Sequence, residues 1–491
     1  MRKLLLASAA MLSATAGIAM AQNPLQGQLA APWAAGPAPN NNNNTTAAAT
    51  RGVDATPTPG TVVIRLNGRV ETDFGVGFTG ADKGINPNGT PNGYKLNPVF
   101  LGGYMRLYPG FDGMTTGGLR YGAAIELRQN FPNGTSPAQS SSGNDSAQTV
   151  YVRRNFGYVA HEKAGLLRVG KTDGVIGLFD DGRFYGGAWD AGVGNINGAY
   201  MGAYSPTAAV TPFYWIAQAG AEYDNDKLVY LTPKFFGFDF GVQYAPGMGT
   251  STNGTSGNGV GLISTATPAA TAAGNNIPSG SCVQAGPTCQ AVTSGNDATR
   301  WYNQVAVGGR FNQTFGPVDF SAYGVYETAG KETLTVGATP RSIQFANLSF
   351  VSAGLLTTIN NVIPGALSFS AAYVGGAVNS GGAIAMRPQG GVNQNALVLG
   401  STYRNGPWTV GGQIGWITSQ GAAALTGISQ RREATINFGG NYLVAPGFAV
   451  VAGYMYNQRH QGAFDFANNA VSATTRDIHG QLFQMSTVFT W

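Results

Sequence analysis

The sequence predicts an all-β fold, a 16-stranded antiparallel transmembrane β-barrel with long external loops and short periplasmic turns. Three observations favour it: segments in which apolar and polar residues alternate, connections that are alternately long and short, and a final strand-like segment that ends on Trp491. A barrel closes by pairing its last strand with its first, which leaves no unpaired edge in the lipid. A terminal aromatic residue is also typical of the interfacial girdle of an outer-membrane barrel.

The N-terminus has the organisation of a secretory signal peptide, assigned to residues 1–21. A positive start precedes an apolar run and the small-x-small cleavage site Ala19-Met20-Ala21. This run is shorter than the ~20 residues of a spanning helix, so we expect cleavage after Ala21. Residues 22–60, rich in Asn, Ala, Pro and Thr, are predicted to be a disordered spacer, and residues 61–491 form the barrel domain.

The composition differs from that of a soluble domain. Charged residues make up 10% of the chain, against ~25% in ordinary soluble domains. Mean hydropathy is −0.05, as expected when strands have one apolar and one polar face. The net charge of +5 falls to about +3 once Arg2 and Lys3 leave with the signal peptide. The sequence has no basic run with interleaved aromatic residues, so we expect no nucleic-acid partner.

The segment that begins at Val62 illustrates the strand pattern. Its apolar phase includes Ile64 and Leu66. The polar phase consists of the alternate residues Arg65, Asn67, Arg69, Glu71 and Asp73. Sixteen such segments are predicted, near 61–78, 98–108, 118–131, 149–160, 165–176, 227–233, 237–246, 301–314, 317–328, 343–358, 366–378, 396–404, 407–419, 431–443, 447–459 and 477–491.

The connections are as informative as the strands. Short ones include Phe315-Gly316, Asn405-Gly406 and the turn around Ala445-Pro446. Outer-membrane barrels have tight periplasmic turns and long external loops, so this asymmetry predicts an outer-membrane location with both termini on the periplasmic side. The long connections include 79–97, 132–148, 177–226, 247–300, 379–395 and 460–476.

Several short segments resemble the Gram-negative outer-membrane general porins, most closely the alphaproteobacterial type. They are the opening strand at 63–70 (VIRLNGRV), residues 104–113 (YMRLYPGFDG), residues 167–174 (LRVGKTDG) and the aromatic C-terminus. The resemblance implies a homotrimer that passes small hydrophilic solutes by diffusion. It also implies that the barrel assembly machinery recognises the terminal strand through Phe489 and Trp491, and that the third external loop folds inward and turns acidic residues towards a basic wall.

The third long connection, 177–226, carries the predicted constriction residues Asp180, Asp181 and Asp190. An alternative is that Asp180 and Asp181 stabilise the loop's own turn. The predicted basic wall consists of arginines in the polar phase of early strands, because a charge on the lipid face costs ~2–4 kcal/mol at the bilayer midplane. These arginines are Arg65, Arg69, Arg106, Arg120, Arg128, Arg153 and Arg168; Arg154 lies in the opposite phase to Arg153.

Two cysteines, Cys282 and Cys289, lie in a segment rich in Ser, Thr, Gly and Asn. In an oxidising compartment they are expected to form one disulfide across a short loop. They have no further Cys or His ligands nearby for zinc. The chain also has only three histidines and no Gly-x-Ser-x-Gly elbow. We therefore expect that the protein binds no cofactor and no metal, and that it is not an enzyme.

These features predict an outer-membrane channel for passive diffusion of ions and small hydrophilic solutes. Its expected partners are those solutes, the outer-membrane lipid and the assembly machinery. Two alternatives stay open: a substrate-selective channel for sugars or carboxylates, and a structural or adhesive barrel whose lumen is plugged by 177–226.

Overall fold

A computed structural model describes residues 57–79, 98–130, 150–180, 226–247, 298–334, 346–361, 364–379, 387–421, 427–466 and 470–491. The predicted signal peptide lies outside these ranges, as do residues 213–223, which the sequence allowed as a further strand. Within the described part of the chain, no helix has both the length and the apolar character to cross a membrane.

The barrel wall consists of antiparallel strands in which every neighbour in sequence is a neighbour in space. The first nine strands are β1 (Val62–Thr79), β2 (Val99–Met114), β3 (Arg120–Asn130), β4 (Tyr151–His161), β5 (Gly165–Lys171), β6 (Asp226–Leu231), β7 (Phe238–Gly247), β8 (Ala298–Phe315) and β9 (Val318–Leu334). A five-residue helix, α1 (Val175–Phe179), follows β5.

The second half of the wall completes a sixteen-stranded closed barrel, as the sequence predicts. Its strands are β10 (Leu348–Asn360), β11 (Ala366–Ala377), β12 (Gln394–Asn405), β13 (Trp408–Ser419), β14 (Arg431–Ala445), β15 (Phe448–His460) and β18 (Ile478–Thr490). A separate two-stranded hairpin, β16 (Phe464–Asp465) and β17 (Ala470–Val471), lies in the connection between β15 and β18.

The predicted alternation of connections is confirmed by the strand bounds. The short connections are 115–119, 162–164, 232–237, 316–317, 361–365, 406–407 and 446–447, and each of them stands between two long connections. The longest are 172–225 and 248–297. Short turns therefore gather at one end of the barrel and long loops at the other, as in outer-membrane barrels.

The strand β2 is longer than the sequence suggests, ending at Met114 rather than near residue 108. Pro109 resembles a strand terminator because it cannot donate a ladder hydrogen bond. The β2–β3 ladder passes from Leu107 directly to Gly110, so the proline lies where that ladder is interrupted. On the other side, Pro109 stays in register opposite Leu66 of β1.

Alternation along each strand separates a lipid face from an inner face. On β1, Ile64 is 85% exposed, whereas Arg69, Glu71 and Asp73 are buried on the inner side. Aromatic side chains form a belt at the short-turn end, where amphipathic rings are favoured. Ring pairs of this belt are Phe111–Tyr121, Phe238–Phe311, Trp408–Tyr442 and Phe448–Phe489.

The seam pairs β1 with β18, and Val70 lies opposite Phe489. Beyond the strand, the backbone of Trp491 accepts a bond from the Gly68 N–H (3.1 Å) and donates one to the Gly68 carbonyl (3.2 Å). The indole covers Gly68 so closely that a Cβ at position 68 would overlap the ring. The terminal residue is thus part of the closure itself.

Candidate pore constriction

The segment after β5 leaves the wall and turns inward at Asp173. The Asp173 Oδ2 atom lies 3.1 Å from Arg154 Nη1 and 3.9 Å from Arg168 Nη1. Arg154 also pairs with Glu126, with Nε and Oε2 3.2 Å apart. All four side chains are buried, so the point of departure is fixed by an ion-pair network on the inner faces of β3, β4 and β5.

The helix α1 lies against the inner face of β7 and β8. The Val175 N–H donates to Oε1 of Gln243 (2.5 Å), and Arg310 Nη1 donates to the Leu178 carbonyl (3.3 Å). The guanidinium of Arg310 also lies 4.9 Å from the centre of the Phe179 ring. These bonds attach both ends of the helix to the wall.

Two further features of the wall make this attachment possible. Asp239 binds Arg310 through two hydrogen bonds, Nε–Oδ1 at 3.2 Å and Nη2–Oδ2 at 2.8 Å. Gly241 faces the helix, and a Cβ there would touch Val175 and Phe179. The small residue lets α1 approach the strand, while the ion pair fixes the arginine that holds it.

Asp180 follows α1 directly and is fully buried inside the barrel. Its Oδ2 atom accepts a hydrogen bond from the Tyr323 hydroxyl (3.0 Å), and that hydroxyl also lies 3.0 Å from Ser352 Oγ. The Asp180 N–H donates to the Ile176 carbonyl (2.7 Å) and closes the helix. The backbone of Asp180 therefore ends α1, while its carboxylate is held by the wall strand β9.

The predicted constriction residues Asp181 and Asp190 lie outside the described residues. The same is true of Cys282 and Cys289, so the disulfide stays a prediction. Within the described ranges, no three His, Cys, Asp or Glu side chains lie close enough together to hold a metal ion.

Three of the predicted arginines share one row of the opposite wall. Arg69 of β1 lies opposite Arg106 of β2, which in turn lies opposite Arg128 of β3. The like charges of Arg69 and Arg106 repel across the ladder, and an acidic neighbour reduces that repulsion. Arg69 Nη2 lies 2.7 Å from Glu71 Oε2. The row is therefore basic but partly compensated.

Two other predicted arginines lie nearer the short-turn end. Arg65 Nη2 pairs with Asp112 Oδ2 at 2.6 Å. Arg120, the first residue of β3, is buried on the same face of the barrel. Further round the wall, the guanidinium of Arg168 lies 4.9 Å from the centre of the Phe156 ring. Each of these three side chains therefore lies on the inner side.

Arg154, which the sequence assigns to the opposite phase from Arg153, lies buried on the inner face. The β3–β4 register shifts between Glu126 and Leu127, so that Arg154 lies opposite Glu126 and Val152 opposite Leu127. The bulge inverts the alternation that the sequence suggests. The side chain of Arg153 lies outside what the structure describes, and Arg154 joins the ion-pair network instead.

A comparison with protein families decides what this barrel is. The profile of the Gram-negative porin family matches residues 83–462, more than half of the chain. The chain belongs to the Gram-negative porins. It is accordingly an integral β-barrel of the outer membrane and a channel for passive diffusion.

Solved structures similar to this porin include three outer-membrane proteins. A loop L8 deletion mutant of OmpT from Vibrio cholerae has 11% identity and a TM-score of 0.44, covering 88% of this chain and 99% of its own. The anion-selective porin of Comamonas acidovorans has 14% identity and a TM-score of 0.43, and the match covers 87% of this chain and 100% of that porin. The outer-membrane channel DcaP of Acinetobacter baumannii has 13% identity and a TM-score of 0.46, and the match covers 89% of this chain and 99% of that channel. No curated protein sequence matches this porin.

Sequence reasoning missed the residues that hold the inward segment of this porin. Arg310, Asp239 and Tyr323 lie on strands more than 50 residues beyond α1, and no local motif marks them. Their only signal is polarity in the inner phase of otherwise apolar strands. Asp173 lies in the segment 167–174 that resembles the porin family, and its contacts with two arginines depend on the β3–β5 register.

Proposed function

We propose that this porin is a general diffusion channel for ions and small hydrophilic solutes, narrowed between the segment that begins with α1 and the basic wall of β1–β5. The observation that carries the proposal is the attachment of α1 inside the barrel through Arg310, Gln243 and Gly241. This attachment supports the proposal because α1 is bonded to the inner side of the wall and Asp180 follows it directly.

The physical consequence is a transverse electric field in the lumen. Sixteen strands enclose an aqueous channel, and an inward segment reduces its width. Acidic groups near Asp180 and basic groups such as Arg69 and Arg106 then face one another across water in low-dielectric surroundings. Such a field orients polar solutes and disfavours apolar ones, which cannot replace the lost hydration energy of the charged walls. Asp181 and Asp190 are proposed to extend the acidic side.

Other parts of the proposal rest on family membership and on the sequence. We propose a homotrimer without catalytic activity, secreted through the signal peptide 1–21 and inserted into outer-membrane lipid by the barrel assembly machinery. That machinery is proposed to recognise the terminal strand with Phe489 and Trp491. Asp180 is proposed to belong to the acidic side of the constriction, and the arginines of the wall to its basic side. Cys282 and Cys289 are proposed to form a disulfide.

Liposome swelling tests the general-diffusion proposal against its alternatives. Purified protein in vesicles should admit neutral sugars and amino acids at rates that fall smoothly with solute size and do not distinguish stereoisomers. A substrate-selective channel would instead admit one class of solute faster than its size allows, and that flux would saturate. A plugged structural or adhesive barrel would give swelling no faster than protein-free vesicles.

A further inference from the structure

The connection after β15 folds back against the inner phase of β14 and β15. Its hairpin β16–β17 carries Phe464 and Phe466, and both rings are buried with their centroids 4.8 Å apart. The Arg431 guanidinium carbon lies 5.6 Å from the first ring and 5.2 Å from the second. The first residue of β14 is therefore covered by two aromatic rings at the external end of the barrel.

The position of this guanidinium is fixed from a second side. Gln461 is fully buried, and its Nε2 donates to the carbonyls of Gln420 (2.8 Å) and Ser429 (3.0 Å). Its Oε1 accepts from Arg431 Nε (3.1 Å). Gly421 has a positive φ of +71°, and a Cβ there would meet Arg431. The amide of Gln461 and the close approach of Gly421 therefore restrict the position of the arginine.

The other arginines near Arg431 form ion pairs with carboxylates. Arg459, whose guanidinium lies 5.9 Å from the Phe466 ring, is bound by Glu433 through two contacts of 3.1 Å, Nε–Oε1 and Nη2–Oε2. Asp465 pairs with Arg476 at 3.6 Å. Among the residues that the structure describes, no carboxylate forms an ion pair with Arg431, and Nε is its only atom with a hydrogen-bond acceptor.

We propose that Arg431 is an oxyanion-binding site at the external mouth of the channel, built by Phe464, Phe466 and Gln461. A guanidinium fork binds two oxygen atoms of a carboxylate or phosphate group side by side. Here Nε is already engaged, and the Nη groups are the donors that remain. The site would capture small oxyanions before they enter the lumen, and it rests on the proposed channel function.

Single-channel recording in the presence of inorganic phosphate, and separately of acetate, tests the site. In chloride solution, either oxyanion should reduce the unitary current of the native channel with a saturable dependence on concentration. Arg431→Gln should weaken the apparent affinity about tenfold or more, the effect of losing charge-assisted hydrogen bonds. Arg432→Gln is the matched control, because its side chain is exposed on the lipid-facing phase of the same strand. It should leave the affinity unchanged.

Arg431→Lys separates the guanidinium fork from its charge and serves if Arg431→Gln does not insert. The lysine variant should bind phosphate and acetate more weakly than the native channel, although its charge is kept. The site is wrong if the native current does not saturate, if Arg431→Lys binds as tightly as the native protein, or if the two glutamine variants lose affinity equally. Complete absence of channels would instead overturn the proposed function.

Discussion

At the scale of single residues, the wall contact that matters most is the one between Tyr323 and Asp180. Burial of a carboxylate is unfavourable unless hydrogen bonds compensate for its lost hydration. The phenol of Tyr323 supplies one such bond from the inner face of β9, at 3.0 Å. This bond holds the carboxyl group of Asp180 inside the barrel, at the end of α1.

Asp180→Asn should shift the reversal potential in a salt gradient towards anions, because it removes one negative charge from the inward segment. Tyr323→Phe keeps the charge but removes a hydrogen bond to a charged group, worth ~1.5–3 kcal/mol, so its effect on ion selectivity should be smaller. Tyr326→Phe is the control, since that exposed phenol bonds Ser349 on the lipid-facing phase. An unchanged reversal potential in Asp180→Asn would contradict this assignment.

The arginines show how far the sequence predicts single residues. Phase alone places Arg65, Arg69, Arg120 and Arg168 on the inner side, because the strand period is two. It did not indicate that Arg154 would lie there too, because a register shift opposite Glu126 and Leu127 changes the phase of β4 locally. A bulge depends on the partner strand, and no local pattern in β4 reveals it.

At the scale of elements, α1 is the part that the sequence did not predict. Five residues cannot form a stable helix alone, so its existence depends on the wall. Leu166, Val175, Ile176 and Phe179 are fully buried in the apolar part of the inner wall. The strands, by contrast, follow from the alternation of apolar and polar residues and from the turn residues between them. Fifteen of the sixteen strand pairs join successive strands of the wall, so the order of the strands in the sequence predicts these pairs.

Gly241→Val should displace α1, because the larger side chain would overlap Val175 and Phe179. Overpacking of this kind costs ~1–3 kcal/mol. The expected result is a larger and more fluctuating single-channel conductance in planar bilayers. Gly324→Val is the matched control, since a Cβ at that strand glycine has no heavy atom within 4 Å.

In the control, conductance and noise should equal those of the native channel. The account of α1 would be wrong if Gly241→Val conducted like the native protein while remaining inserted. It would also be wrong if both glycine variants changed equally, since the effect would then come from strand substitution in general.

At the scale of the whole molecule, closure depends on the seam between β1 and β18. Trp491 lies over Gly68 and exchanges two backbone hydrogen bonds with it. The sequence indicated this seam through the terminal aromatic residue and the alternation before it. It could not indicate the register, which pairs Val70 with Phe489, because shear is a property of the closed barrel.

Trp491→Ala should lower the yield of heat-modifiable, membrane-inserted barrel, with a loss of stability of about 1–3 kcal/mol, and should leave the conductance of inserted channels unchanged. Trp416→Ala is the control, because that indole is equally exposed (45% against 46%) but lies on β13, away from the seam. Equal yields from the two variants, measured by unheated gel electrophoresis, would contradict a special role for the terminus.

We propose that the closed barrel of β1–β15 and β18 surrounds a water-filled path that a fixed inward segment narrows. Planar-bilayer recording of the purified native protein tests it most directly. The structure predicts stable, ohmic steps of high conductance that increase in proportion to salt concentration. A membrane that shows no steps after insertion of folded protein, or steps that saturate at low salt, would contradict the claim.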